Sequence, residues 1–220
     1  MQRINSDESA AQGIFITLEG PDGAGKSTQQ AVLVERIRGL GRHVVATREP
    51  GGTDLGERVR TILLETSDVH DPLVDALLFN AARRRLVHDV IRPAVERAAV
   101  VVCDRFADST LAYQGYGGGA AVDVLRTLAA IATEGLRPQR TVLLDLPTHQ
   151  GLSRRQGGPQ DQLTRFETDA AHGATFHDRV RGGYLELAEA EPERWRIVDG
   201  SGSEVEVAER VWQSVSDLFD

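Results

Sequence analysis

An α/β fold built on a mostly parallel, doubly wound sheet is predicted by three features of this 220-residue chain. Five short apolar runs of strand length recur along it, helical patterns separate them, and a glycine-rich turn lies directly after the first run. Such alternation puts helices on both faces of a parallel sheet, and ligands then collect at the carboxyl ends of the strands. The informative residues are therefore those that follow each run.

The first run, Ile14–Leu18, reads as a buried strand, and Gln29–Leu40 reads as a helix. Between them stand Gly20, Pro21, Asp22, Gly23, Ala24, Gly25, Lys26, Ser27 and Thr28, which fit the phosphate-loop pattern of glycine, four residues, then Gly-Lys-Ser/Thr. The glycines let successive backbone N–H groups point inward at phosphate oxygens, and the helix adds the positive end of its dipole. Lys26 would neutralise the β and γ oxygens of a nucleoside triphosphate, and the Ser27 hydroxyl would ligate Mg2+. Lys26 is the only lysine among 25 basic residues, as expected where a compact ammonium is needed and a planar guanidinium would not fit. The sheet prediction thus sharpens to a P-loop NTPase fold.

The second run, Val44–Thr47, ends in Arg48-Glu49-Pro50-Gly51-Gly52-Thr53. Proline and glycine stop the strand, and Thr53 can cap a helix through Leu55–Leu64. Arg48 is either a ligand group or one half of a surface ion pair. From Pro72 to about Ala98 runs a long helical pattern with an Asp71-Pro72 start, which Pro93 should end or kink. Within it Phe79 and Arg83 lie one turn apart. They suit the stacking and hydrogen bonding of a planar base, or else a core ring beside a solvated arginine face.

The third run, Ala98–Cys103, closes on Asp104-Arg105-Phe106. An acidic residue at the end of an apolar strand is a Walker-B type of Mg2+ site, and the phosphate loop makes that reading more specific. Ser109, Tyr113 and Gln114 follow, with amide and phenol groups that could read a ligand, and then a Gly117-Gly118-Gly119 hinge. After the fourth run, Thr141–Leu146, residues 153–167 combine glycine, proline and glutamine with Arg154, Arg155 and Arg165. They read as a lid that closes on phosphates, or as a surface loop. The fifth run is Trp195–Val198.

A formal net charge of −8 argues against a general nucleic-acid binder, which needs a basic stripe. No apolar run approaches the roughly 18 residues of a membrane span, and residues 1–12 are too polar for a signal peptide. They read as a disordered leader ahead of one domain, 13–220, in a cytoplasmic protein. Cys103 is the lone cysteine and reads as a small buried hydrophobe.

Together the Gly20–Thr28 loop, Arg48–Thr53, Leu78-Phe79-Asn80-Ala81-Ala82-Arg83, Asp104-Arg105-Phe106 and Ser109–Gly115 resemble the thymidylate kinases, from about Ile14 to the end of the chain. The resemblance implies a nucleoside monophosphate kinase on a five-stranded parallel sheet, a homodimer that phosphorylates dTMP with ATP and Mg2+. By that resemblance Asp22 meets the deoxyribose 3′-hydroxyl or metal-bound water, and Arg48 and Arg105 hold the dTMP phosphate beside Glu49, Pro50 and Ser109. Phe79 stacks on thymine, Arg83 and Gln114 bond its edge, and Tyr113 lies where a ribose 2′-hydroxyl would clash. Lys26, Asp104 and Arg105 are the implied catalytic groups, joined by a lid arginine, Arg165 or Arg155. The lid supplies that charge because Gly23 stands where one branch of the family carries an arginine. Another nucleoside monophosphate kinase would share all but the base pocket. A GTP-dependent switch is excluded, because its Asn-Lys-x-Asp motif cannot be built from one lysine in the loop and two asparagines, Asn5 and Asn80. A non-catalytic nucleotide-binding module remains the other alternative.

Overall fold

The computed structural model describes residues 13–65, 71–156 and 174–220. Its sheet has five strands, all parallel: β1 (Ile14–Glu19), β2 (Val44–Arg48), β3 (Val100–Asp104), β4 (Arg140–Asp145) and β5 (Trp195–Asp199), in the spatial order β2-β3-β1-β4-β5. β1 is buried along its whole length, which is why its sequence is a continuous apolar run rather than an alternation. The strand order reverses beside β1, and the phosphate loop leaves from that point.

Successive β1 residues feed opposite layers. Ile14, Ile16 and Leu18 join Val100, Val102, Val142 and Leu144 against α1 (Lys26–Gly39), where Leu33, Val34 and Ile37 are buried. Phe15 faces the other way and packs with Val101, Cys103 and Phe106, under Leu86 and Ile91. A further cluster on Leu143 and Trp195 is covered by Val180, Tyr184 and Leu187 of α8 (Ala174–Ala190). α9 (Glu204–Gln213) closes the α1 side with a Ser203/Glu206 capping box. Cys103 is fully buried, as expected, and donates its S–H to Arg105 O.

Several boundaries differ from the sequence reading by a residue or more. The long helix over 72–98 is instead α3 (Pro72–Leu86), a π-helical turn at Val87–Ile91, and α4 (Arg92–Glu96). Pro93 has no N–H to offer, and the ladder widens just before it, with Arg92 N–H donating to Val87 O, so the chain stays helical through the proline. β3 starts at Val100 rather than Ala98, because Ala98 takes a left-handed φ of 59° to turn the chain out of α4. α1 begins at Lys26, where the phosphate-loop motif puts the helix start, three residues ahead of its apolar pattern. β4 is likewise Arg140–Asp145, one residue earlier than read. The leader 1–12 and residues 157–173, most of the expected lid, lie outside the described residues.

Candidate active site

The site grows from the carboxyl ends of β1, β2 and β3. Past β1, Gly23 and Gly25 have φ of 76° and 90°, left-handed values that cost a side-chain-bearing residue energy. Gly23 is constrained a second time. A Cβ there would lie 2.1 Å from Gly151 O in α7 (Thr148–Gln156), and a Cβ on Gly151 would lie 2.3 Å from Asp22 O. Two glycines thus let α7 rest on the phosphate loop, and no side chain, arginine included, fits at position 23 in this arrangement.

Lys26 is buried, and its ammonium donates to Gly20 O at 3.1 Å and Pro21 O at 2.9 Å. Burial, with the positive charge of Arg105, pulls its pKa down to about 8, against the pull of Asp22, Asp104 and Glu19. The Ser27 hydroxyl donates to Asp104 Oδ2 at 2.5 Å, across from α1 to the end of β3. Two hard oxygen donors converge there, while no cluster of three metal-ligating side chains occurs among the described residues. That donor set fits a cation that keeps waters and phosphate oxygens as most of its ligands, as Mg2+ does.

Arg105 follows Asp104 with a left-handed φ of 68°. Its Nη2 donates to Asp22 Oδ1 at 2.5 Å and Tyr113 OH at 3.0 Å, and Nη1 donates to Gly20 O, Ser109 Oγ and Tyr184 OH. Tyr113 OH in turn donates to Asp22 Oδ2 at 2.8 Å. Burial alone would push the Asp22 carboxyl up, but Arg105 and Lys26 outweigh it and hold it below the usual range. Asp22, Lys26, Arg105, Ser109 and Tyr113, predicted from separate motifs, are therefore one connected cluster. Tyr113 and the buried Gln114 sit on a second π-helical turn, Leu111–Gly117, packed on α8.

Arg83 is almost wholly enclosed. Its Nε donates to Glu49 Oε2 at 2.8 Å, Nη1 to Asn80 Oδ1 at 3.0 Å, and Nη2 to Thr110 Oγ1 at 3.0 Å and Phe106 O at 3.2 Å. Of five N–H bonds, one on Nη1 remains for a ligand. The arginine is thus neither a solvated face nor a free base reader: it ties α3, the β2 end and the β3 loop together. Burial pushes the Glu49 carboxyl up, against the Arg83 charge. Phe79 is half-buried and packs against Val59, Leu63 and Ala82, so part of its ring belongs to the seam between α3 and α2 (Asp54–Glu65).

Arg48 lies at the end of β2 with an exposed guanidinium, paired with both oxygens of Glu57 at 3.1 and 3.0 Å. Pro50 O accepts from Arg60 Nη1 at 3.1 Å. Burial lowers the Arg60 pKa, helped by the positive charge of Arg48 and opposed by Glu57 and Asp104. The sequence reading did not single out Arg60, which reaches Pro50 O from the helix after β2. It also missed Glu19, the acidic residue closing β1, and Tyr184. Arg154 donates to Gly200 O at 3.2 Å, while Arg165 and the Arg155 side chain lie outside the described residues.

A parallel sheet with a phosphate loop at its switch point, and a second, arginine-lined cluster facing that loop, defines the class of phosphate-loop kinases. The thymidylate kinase family model matches residues 18–211. The chain is 49% identical over 209 residues to the thymidylate kinase of Deinococcus radiodurans, covering 94% of this chain and 98% of that protein. It is 48% identical over 205 residues to the thymidylate kinase of Thermomicrobium roseum, covering 93% and 95%. Among solved structures, that of thymidylate kinase from Ehrlichia chaffeensis superposes with a TM-score of 0.74 at 32% identity, covering 92% of this chain and 98% of that one. The chain belongs to the thymidylate kinase family.

Proposed function

We infer that this enzyme transfers the γ-phosphoryl group of ATP to dTMP, giving dTDP. The observation that carries the reading is the single cluster in which Lys26 and Asp22 of the phosphate loop meet Arg105 and Tyr113 of the opposite site. A donor held on the loop and an acceptor held by Arg105 would share one cleft. The acceptor is a phosphate monoester whose second pKa is about 6, so near neutrality it is mostly a dianion and needs no general base. What opposes reaction is repulsion between two polyanions, and positioned charge is the remedy.

In this reading Gly20–Thr28 wrap the ATP phosphates, and Lys26 exchanges its two carbonyl acceptors for β and γ oxygens. Arg105, supported by Arg48 and Arg60, holds the dTMP phosphate near Glu49, Pro50 and Ser109. Phe79 covers thymine with its exposed face, the remaining Arg83 N–H and Gln114 meet the base edge, and Asp22 and Tyr113 face the sugar. Ser27 and Asp104 would hold Mg2+, which when bound neutralises charge on the transferring phosphates. Residues about 153–167 form the lid of a single domain spanning 13–220, and Arg165 or Arg155 brings the charge that Gly23 leaves out. The crowding of Gly23 by Gly151 supports that division of labour.

The enzyme works as a homodimer through the outer face of α3 and α6 (Val122–Thr133). Leu73, Val74 and Leu77 are 42%, 50% and 50% exposed there, and Val124 and Ile131 are 47% and 68% exposed on the adjoining helix. Large side chains left this open on adjoining helices suit a self-complementary interface. No described helix is long and apolar enough to cross a membrane, and a lone buried thiol suits the reducing cytoplasm. The test is an ADP-release assay with dTMP, dUMP, dCMP, dGMP and AMP as acceptors. Turnover is expected with dTMP well above dCMP, dGMP and AMP; preference for one of those three would replace the assignment with another nucleoside monophosphate kinase.

A further inference from the structure

Glu19 closes β1 one residue before the phosphate loop and is wholly buried. Its carboxylate accepts three hydrogen bonds: from Phe106 N–H at 2.7 Å, the Ser109 hydroxyl at 2.6 Å and the Tyr184 hydroxyl at 2.9 Å. Each hydroxyl has a single proton, and both point to Glu19. Their oxygens can then only accept from other neighbours, and both accept from Arg105 Nη1, each at 3.2 Å. The two hydroxyl oxygens are 2.8 Å apart, so either proton could turn toward the other oxygen. A carboxylate on the far side draws both away. Arg105 itself keeps a left-handed backbone, a conformation that persists only where the surroundings hold it. The bond from the next residue's N–H to Glu19 is one such restraint.

We propose that Glu19 is a positioning residue for acceptor binding: by orienting the Ser109 and Tyr184 hydroxyls, and by holding Phe106, it keeps the Arg105 guanidinium aimed at the acceptor phosphate. The proposal rests on the reading of Arg105 as a ligand of that phosphate. A charge at this depth is a poor choice for stability alone, because burial opposes it and an amide of the same shape would fill the space. The carboxylate accepts from Phe106 N–H on one oxygen and from both hydroxyls on the other, which an amide, with a single acceptor atom, cannot do.

The experiment compares Glu19→Gln, Tyr184→Phe and Arg105→Ala with the wild-type enzyme at about pH 8.5, above the pKa of about 7 to which burial raises Glu19, so that the carboxylate is ionised. In Glu19→Gln the amide oxygen still accepts from Phe106, but the amide NH2 must donate toward the hydroxyl pair and turns their protons toward Arg105. The expected result is a KM for dTMP raised about tenfold or more, with kcat kept within about threefold and the calorimetric Kd for ATP within about twofold. The Tm is expected to be unchanged or higher, whereas a merely structural role would lower it and leave the KM alone. A dTMP KM within about twofold of wild type, or an equal loss of ATP affinity, overturns the proposal. If Glu19→Gln does not fold, Tyr184→Phe decides: it keeps the carboxylate, removes one oriented oxygen, and is expected to raise the dTMP KM about threefold or more with ATP binding kept. An unchanged KM there overturns the proposal as well. Arg105→Ala separates the two levels. Should it leave dTMP binding intact, the reading of Arg105 fails; should it weaken dTMP binding while Glu19→Gln does not, only the role of Glu19 fails.

Discussion

Lys26 sits in the phosphate loop with a depressed basicity, and this has a measurable consequence. Its folded pKa of about 8 lies below the ordinary 10.5, so the folded state binds this proton less tightly than the unfolded chain. The group therefore subtracts stability below about pH 8, and stability without nucleotide recovers as pH rises from about 8 to 10.5. A polyphosphate beside the ammonium reverses the balance and raises the pKa. ATP binding at pH 8 should accordingly take up a proton, seen as a dependence of the calorimetric enthalpy on buffer ionisation enthalpy. No such dependence would mean that Lys26 stays away from the phosphates. Glu19 runs with the opposite sign: burial raises its pKa from 4.5 to about 7, so its contribution to stability is present below about 4.5 and is lost as pH rises through about 7.

Arg83 joins stability to specificity. Its partner Glu49 is as deeply buried as it is, so Arg83→Ala strands a carboxylate and should cost about 3–5 kcal/mol in urea denaturation. The same change should remove the preference for dTMP over dCMP, because arginine donates and cannot match the amino group of cytosine. A double variant, Arg83→Met with Glu49→Gln, is expected to regain most of the stability and none of the discrimination. Recovery of the dTMP to dCMP ratio of kcat/KM in that variant would show that Arg83 does not read the base.

At the scale of elements, the contact between α7 and the phosphate loop is the tightest joint in the site. Gly151 has no left-handed backbone to excuse its lack of a side chain; the reason is Asp22 O, 2.3 Å from where a Cβ would be. Gly151→Ala should therefore act by contact alone, pushing α7 away from the loop. A loss of about 1–3 kcal/mol of stability is expected, with a lower kcat in the same ADP-release assay. Normal kcat and Tm would show that α7 gives way freely. The two π-helical turns work on the same scale. One carries the chain through Pro93, and the other presents Tyr113 to Asp22 and Arg105 while Gln114 is buried beside it.

For the whole molecule, the exposed apolar residues of α3 and α6 set the expected assembly. Leu77→Glu combined with Ile131→Glu places charge on the proposed two-fold face, where each copy would meet its like. Light scattering should report a dimer for the wild type and a monomer for the variant, whose Tm should fall because association contributes to stability. A dimer that survives both charges would put the interface on another face.

The glycine-rich loop, the five strands and the acidic residue ending β3 were legible in the chain because each depends on neighbours in sequence: apolar runs that must be buried, glycines that must turn, a motif with fixed spacing. The same local logic placed Asp22, Lys26 and Arg105 just past the ends of strands. It did not foresee that they form one hydrogen-bonded cluster, that Arg83 is consumed mostly by Glu49, Asn80, Phe106 and Thr110, or that Arg60 bonds Pro50 O while Arg48 pairs with Glu57. Nor did it find Glu19 and Tyr184, whose partnership spans 165 positions. Hydrogen bonds of this kind are decided by which side chains the packed layers bring within 3 Å, and by how many donors and acceptors each has left. Sequence determines which elements form and which chemistry lies at their ends; only the folded chain decides which of those groups satisfy one another and which remain for the substrate.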